Sequence, residues 1–202
     1  MKLFSRNHSA AAAQTYIAEY ISAVNRTESL GLKAPSRVLV KKPCVDPDVT
    51  LPVLLDYFDR HTPGELLGQT LAINVDLITL LWDKTHVPFE ITFGFAEIKG
   101  QRFGECSDSI VRRYLADKQV AWVRDGVPFH IWLTTPACEV IDITWAMNLG
   151  TATTRKECAE RIFYKRVDAP HNDPPTYHPV IVGEDFLFKT GCFLELGYSK
   201  PD

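Results

Sequence analysis

The chain lacks the features that would set it apart from ordinary globular domains. It has no run of Lys and Arg, and its 25 acidic residues slightly outnumber its 22 basic ones, for a formal net charge of −3. That balance offers nothing to a polyanion, so nucleic acid is not an expected partner. No apolar stretch approaches the roughly 20 residues of a membrane-spanning helix, so no membrane association is expected. The opening MKLFSRNHSAAAAQTYIAEY has basic residues and then alanines, but polar Gln14, Thr15 and Glu19 interrupt it before any long apolar region forms. It reads as a helix rather than a secretory leader, and the expected setting is cytoplasmic. Cys44, Cys106, Cys138, Cys158 and Cys192 are odd in number, widely spaced and contain no CxxC pair. That excludes a disulfide scaffold and a Cys-rich zinc site, and no metal or other cofactor is expected.

What remains fits one α+β domain spanning all 202 residues. The first helix, capped by Asn7 or Ser9, carries an apolar stripe of Tyr16, Ile17, Tyr20, Ile21 and Val24. After a Pro-broken connection with a short β-like run at Val38 to Val40, a second helix begins at Thr50 and Pro52. The strongest helical pattern follows, with Leu71, Val75, Ile78 and Leu81 or Trp82 recurring at helical spacing until Val87-Pro88. FEITFGFAEIKG alternates like a strand. ECSDSIVRRYLAD reads as a short helix capped by Ser107 or Asp108. Three short strands are expected from Lys118 to Thr144, with a turn at Asp125-Gly126. A polar-faced helix over TTRKECAERIFYKR, a Pro-rich loop over DAPHNDPPTYHPV and a last hairpin around Gly191 complete the pattern.

One stretch, FHIWLTTPACEVIDIT from Phe129 to Thr144, has the alternation of a half-buried hairpin but carries two ionisable residues, His130 and Asp142. Aligning Ile141 and Ile143 with the face of Phe129, Ile131 and Leu133 sets the register, because a one-residue slip exposes one apolar set. His130 and Asp142 then share the other face, directly or diagonally opposite. Directly opposite Cβ atoms lie roughly 5 Å apart, within reach for an imidazole and a carboxylate. Direct opposition requires a three-residue loop, Thr135 to Ala137, and a two-residue loop puts the pair on opposite faces. A carboxylate that accepts from one imidazole nitrogen leaves the other free to take a proton from a nucleophile. The competing reading is a structural pair, or two unrelated polar residues.

The stretch resembles the strands of transglutaminase-like proteins, members of the papain-like cysteine-hydrolase fold. In that family a His begins one strand, an Asp ends the next, and a Thr follows two residues later, as Thr144 does here. Upstream, GQTLAINVDLITLLWDKTHVPFEITFGFAEI is similar to the family's central helix and first strand. His86-Val87-Pro88 stands at its Gly-Ile-Pro turn and Gly94-Phe95 at its Gly-Tyr. The resemblance covers about residues 66–145 and implies a central helix packed on an antiparallel sheet.

The chain departs from the family at the nucleophile. The family's Cys follows a Gly-Gln at a helix start, where the positive end of the helix dipole favours thiolate. Here Gln69 is followed by Thr70, whose hydroxyl is a far weaker acid than a thiol; its other role is a helix cap. Cys106, also at a helix start, is the alternative nucleophile, although Glu105 beside it opposes thiolate formation. Trp132 would wall a substrate groove or fill the core, and Gln69 would bind substrate or simply open a helix. Cys138 is a weaker candidate, and His171, Asp173 and His178 match no zinc spacing. Two functions follow as expectations. One is an amide or acyl hydrolase or acyltransferase acting on a peptide or protein through Cys106 or Thr70, His130 and Asp142. The other is a catalytically inactive domain of the same fold that binds a peptide or protein.

Overall fold

The computed structural model describes residues 4–36, 39–61, 69–98, 100–143, 163–165 and 175–192. Among these residues the chain forms six helices and six strands, and each strand pairing given below is antiparallel, which makes the protein α+β. No helix among them is long and apolar enough to cross a membrane. The contacts divide the chain into two compact units. One comprises Met1–Arg37, Thr92–His130 and Pro170–Asp202; the other comprises Val38–Ile91 and Ile131–Ala169.

The first unit begins with helix α1, Phe4–Ser29. It starts earlier than a cap at Asn7 or Ser9 would set, and both residues lie inside the helix. Its buried face is Tyr20, Ala23, Val24 and Thr27, while Ile21 is exposed. Strand β1, Glu90–Ile98, forms a tight hairpin with β2, Gln101–Phe103, and pairs along its length with β6, Thr176–Val182. β6 begins inside the segment expected to be a Pro-rich loop, taking its last residues Thr176 to Val180 and running on to Val182. The register shifts between Phe93, opposite Ile181, and Gly94, opposite Pro179. That bulge accommodates a residue with no N–H to give, which is how a proline survives in a strand.

Two further expectations change in this unit. Gln119–Asp125 is a helix, α5, and not a strand; it follows helix α4, Asp108–Asp117, after Lys118 turns the chain at φ 51°. Gly191 does not turn a hairpin. It caps helix α6, Asp185–Thr190, at φ 74°, the left-handed conformation in which glycine commonly ends helices.

The core of this unit is a cluster of five rings, Phe93, Tyr114, Trp122, Phe129 and Phe186, contributed by β1, α4, α5, the approach to β3 and α6. Their centroids lie between 4.8 Å (Tyr114–Trp122) and 6.1 Å (Trp122–Phe186), all edge to face. Such pairs add about 0.5–1.5 kcal/mol each beyond the area they bury. The Tyr114 hydroxyl satisfies itself on the Gly126 carbonyl at 2.8 Å.

In the second unit helix α2, Pro47–Arg60, starts three residues before Thr50. Asp46 caps it: its Oδ1 accepts from Asp48 N and its carbonyl from Thr50 N, with Pro47 at the first helical position, where no N–H is needed. Helix α3, Thr70–Thr85, ends at His86 in the left-handed conformation. Its buried face is Leu71, Ile73, Asn74, Leu77 and Leu81. Val75 and Ile78 are half-buried and Trp82 is 49 % exposed, so the buried stripe is rotated from the one that spacing alone selects. Of the short β-like run expected at Val38 to Val40, Val38 lies outside the described residues, and Val40 joins no strand; its N–H reaches the Pro136 carbonyl at 2.9 Å. Strand β3, His130–Thr134, straddles the division between the units, and its residues from Ile131 onward belong to the second. There β4, Val140–Asp142, pairs with both β3 and β5, Phe163–Lys165. β5 takes residues expected at the end of a polar-faced helix; the rest of that stretch lies outside the described residues.

The rotated face of α3 can be tested by paired truncations. Leu77→Ala removes a fully buried side chain and is expected to cost about 2–5 kcal/mol of unfolding free energy in urea. Trp82→Ala, on the exposed side, is expected to stay within about 0.5 kcal/mol of the parent. Equal losses would contradict this packing.

Candidate functional site

Of the two arrangements that hydrophobic matching allows for His130 and Asp142, direct and diagonal opposition, the hairpin register excludes the direct one and keeps the diagonal one. Leu133 pairs with Ile141 and Thr134 with Val140, so Asp142 falls opposite Trp132 and the connection runs through residues 135–139. The isoleucine keeps the parity that hydrophobic matching requires, but the turn is longer than three residues. Its cause is Glu139. The buried carboxylate Oε2 accepts from Cys44 N at 2.7 Å, Val45 N at 3.1 Å and Thr135 Oγ1 at 3.0 Å. Thr135 Oγ1 in turn accepts from Glu139 N and Ala137 N, and Cys138 adopts φ 57° within the turn. A buried charge with three donors on one oxygen is an anchor, and periodicity reads it only as a polar residue in a loop.

His130 is 3 % exposed. Phe129, immediately before it, is held in the five-ring cluster. The imidazole stacks on Tyr177 of β6, centroids 6.0 Å apart and planes 23° apart. Behind it, Gly104 lies at φ 78°, and a Cβ built there would stand 2.5 Å from His130 N and 2.9 Å from its Cβ. Only glycine permits that approach. The adjoining backbone is tied by Glu105 N to the Pro128 carbonyl at 2.8 Å. Neither Gly104 nor Tyr177 is marked by sequence spacing; a glycine just after a strand was the available signal.

Cys106 stands just ahead of α4, whose cap is Ser107, accepting from Ile110 N. Its position at a helix start follows the sequence reading, but the thiol is 4 % exposed. Burial pushes its pKa up to about 12, against the pull of the Arg26 and Arg102 guanidinium groups, with Asp108 adding to the rise. Burial likewise pushes the Cys138 thiol up to about 12. Cys44 is raised by burial and by Glu139, against a hydrogen bond from the Ala137 backbone. The thiols of Cys106 and Cys138 are therefore held as neutral S–H at neutral pH.

Thr70 is the first residue of α3, and the cap position falls to Gln69, which makes no side-chain cap bond. Gln69 is exposed, Thr70 half-buried. The Thr70 carbonyl accepts from Asn74 Nδ2 at 2.7 Å. Trp132 and Asp142 are fully buried. Cys106 and His130 belong to the first compact unit; Gln69, Thr70, Trp132 and Asp142 belong to the second. His178 hydrogen-bonds to Glu19 at 2.9 Å; Thr144, His171 and Asp173 lie outside the described residues. Among the described residues no group of three His, Cys, Asp or Glu side chains is arranged to hold a metal ion. No protein-family model, curated protein or solved structure matches the chain.

Two outcomes check this geometry. Gly104→Ala is expected to destabilise the protein by about 2–4 kcal/mol, from its positive φ and the backbone contact, and to shift the His130 amide and ring resonances. For Cys106, a folded pKa above the unfolded one means that native stability is intact below the unfolded value and lost as pH rises. The window opens near pH 9 and closes near the folded value of about 12, with a slope of about 1.4 kcal/mol per pH unit for each such thiol. Urea unfolding of Cys106→Ala across that range should show a shallower alkaline loss than the parent.

Proposed function

We propose that the chain is a non-catalytic binding domain of transglutaminase-like or papain-like build that recognises a peptide or protein. One observation carries this reading: Cys106, the thiol proposed to stand in for the missing nucleophile, is buried and keeps its proton to about pH 12. Thiolate is the attacking species in cysteine chemistry, and burial removes it. Thr70 supports the same conclusion, since a hydroxyl stands where the resembling family carries a thiol, and ionising it at neutral pH is much harder. In this reading His130 and Asp142 are retained for packing rather than proton transfer, and Gln69, exposed at the head of α3, offers a carboxamide to a peptide backbone.

The competing reading is an amide or acyl hydrolase or acyltransferase. Cys106 or Thr70 would attack, His130 would serve as base and then acid, and Asp142 would orient it. It draws on the placement of Cys106 and His130 in the same unit, with Gly104 pressed against the His130 backbone two residues before Cys106.

Chemistry separates the two. The chain is incubated with casein and a fluorescent primary amine, and with a library of peptide amides. The binding reading expects no turnover, and alkylation of Cys106 by iodoacetamide at pH 7 that is equally slow in the parent and in His130→Ala. It also expects a displayed random-peptide library to select one consensus with the parent and with Cys106→Ala alike. Amide turnover that disappears in His130→Ala would overturn it in favour of the hydrolase.

A further inference from the structure

Helix α1 lies along the β6 strand, tied to it by two side chains whose spacing matches. Glu19 meets His178, and Thr27 Oγ1 accepts from the Val182 backbone N–H at 3.0 Å. The helix residues are eight apart and the strand residues four apart, about 12 Å at 1.5 Å per helical residue and about 13 Å at 3.3 Å per strand residue. The helix therefore runs parallel to β6 and covers a strand that, among the described residues, pairs only with β1. Covering an edge with a helix keeps its backbone groups from pairing with another chain.

The two ties differ in kind. The Thr27 bond is neutral and buried, and the Arg26–Asp108 ion pair near it, at 3.5 Å, balances its own charge. The His178 tie is ionisable and incomplete. Nδ1 lies 2.9 Å from Glu19 Oε2, whereas Nε2 is buried, has no hydrogen-bond partner and lies 3.9 Å from Glu97 Oε2 on β1. The ring is stacked on Phe95, its direct partner across the sheet, at 4.6 Å and 16°, and the Arg102 guanidinium of β2 lies 3.3 Å from the centre of the Phe95 ring. Stacking fixes the imidazole between the two carboxylates.

With a neutral ring, Nδ1–H donates to Glu19 and the Nε2 lone pair faces a carboxylate that has no hydrogen to give. The facing charges, Glu19, Glu97 and Arg102, then sum to −1. A second proton makes both ring nitrogens donors and brings the sum to zero. We infer that His178 is a proton-operated latch: proton uptake turns its orphaned Nε2 into a donor toward Glu97 and tightens α1 over the edge of β6. Acidification tightens the latch and alkalinisation loosens it. Release uncovers the β6 edge, including the Val182 N–H.

Backbone hydrogen exchange on the full chain tests this at pH 5.5 and 7.5, with rates normalised for intrinsic exchange. The opening constant read at the Val182 amide and along α1 is expected to fall about three- to tenfold on acidification, the scale of partly exposed charge-assisted bonds. His178→Gln should abolish the pH response. Glu97→Ala should abolish most of it while leaving protection at pH 7.5 unchanged, because Glu97 accepts nothing from the neutral ring and Ala brings no donor to Nε2. An absent response in the parent, or a response in both variants as large as the parent's, would overturn the latch. A loss of protection of the same size at both pH values would assign His178 a static packing role instead.

Discussion

The cluster of Phe93, Tyr114, Trp122, Phe129 and Phe186 is the contact on which the first compact unit depends. Tyr114, Trp122 and Phe129 come from successive segments, Phe93 and Phe186 from distant ones, and the seven close ring pairs among them are edge to face. The two short helices α4 and α5, at 10 and 7 residues, are below the length at which isolated helices hold together in water. Their Tyr114 and Trp122 are the residues that dock them. The second unit depends instead on a polar contact. Glu139, buried with three donors on one oxygen, binds the segment at Cys44 and Val45 to the β3–β4 turn.

These two constraints explain where the candidate residues stand. His130 takes its position from a neighbour in the ring cluster and from a glycine behind its backbone, so its placement follows from packing. The turn that Glu139 organises sets the register that puts Asp142 opposite Trp132. Close packing in each unit keeps a thiol protonated: burial alone raises Cys138, and at Cys106 burial opposes the charged form more strongly than the Arg26 and Arg102 guanidinium groups favour it. Order and thiol reactivity work against each other here.

Where local chemistry is strong, it fixes the element by itself. Ser107 caps α4 as its position before an apolar-periodic run indicates, and the alternation from Glu90 to Ile98 is a strand. A local signal with two physical meanings does not decide the element. Gly191 serves a hairpin turn or a helix end equally well, and the helix end won. Gln119 to Asp125 contains β-branched and aromatic residues that suit a strand, yet Lys118 at positive φ redirects the chain into a helix that delivers Trp122 to the core. Pro179 argues against a strand until a bulge opposite Gly94 removes the need for its N–H. The candidate site was legible only in part. His130, Asp142 and Cys106 stand out as ionisable or nucleophilic residues in ordered surroundings, whereas Gly104, Tyr177 and Glu139 carry no periodic or motif signal.

By itself the sequence determined the chemistry available: which residues can ionise, which can attack, the absence of a cysteine after Gln69, and an α+β succession of amphipathic segments. Those follow from side-chain identity and from the periods of helix and strand, which are local properties. Only the tertiary structure decided which face of α3 is buried, how far the β3–β4 pairing slides, and whether a thiol at a helix start is exposed or sealed. Each of these turns on contacts between residues distant in the chain. Burial, which sets both packing energy and protonation, is a property of such contacts and of no single stretch.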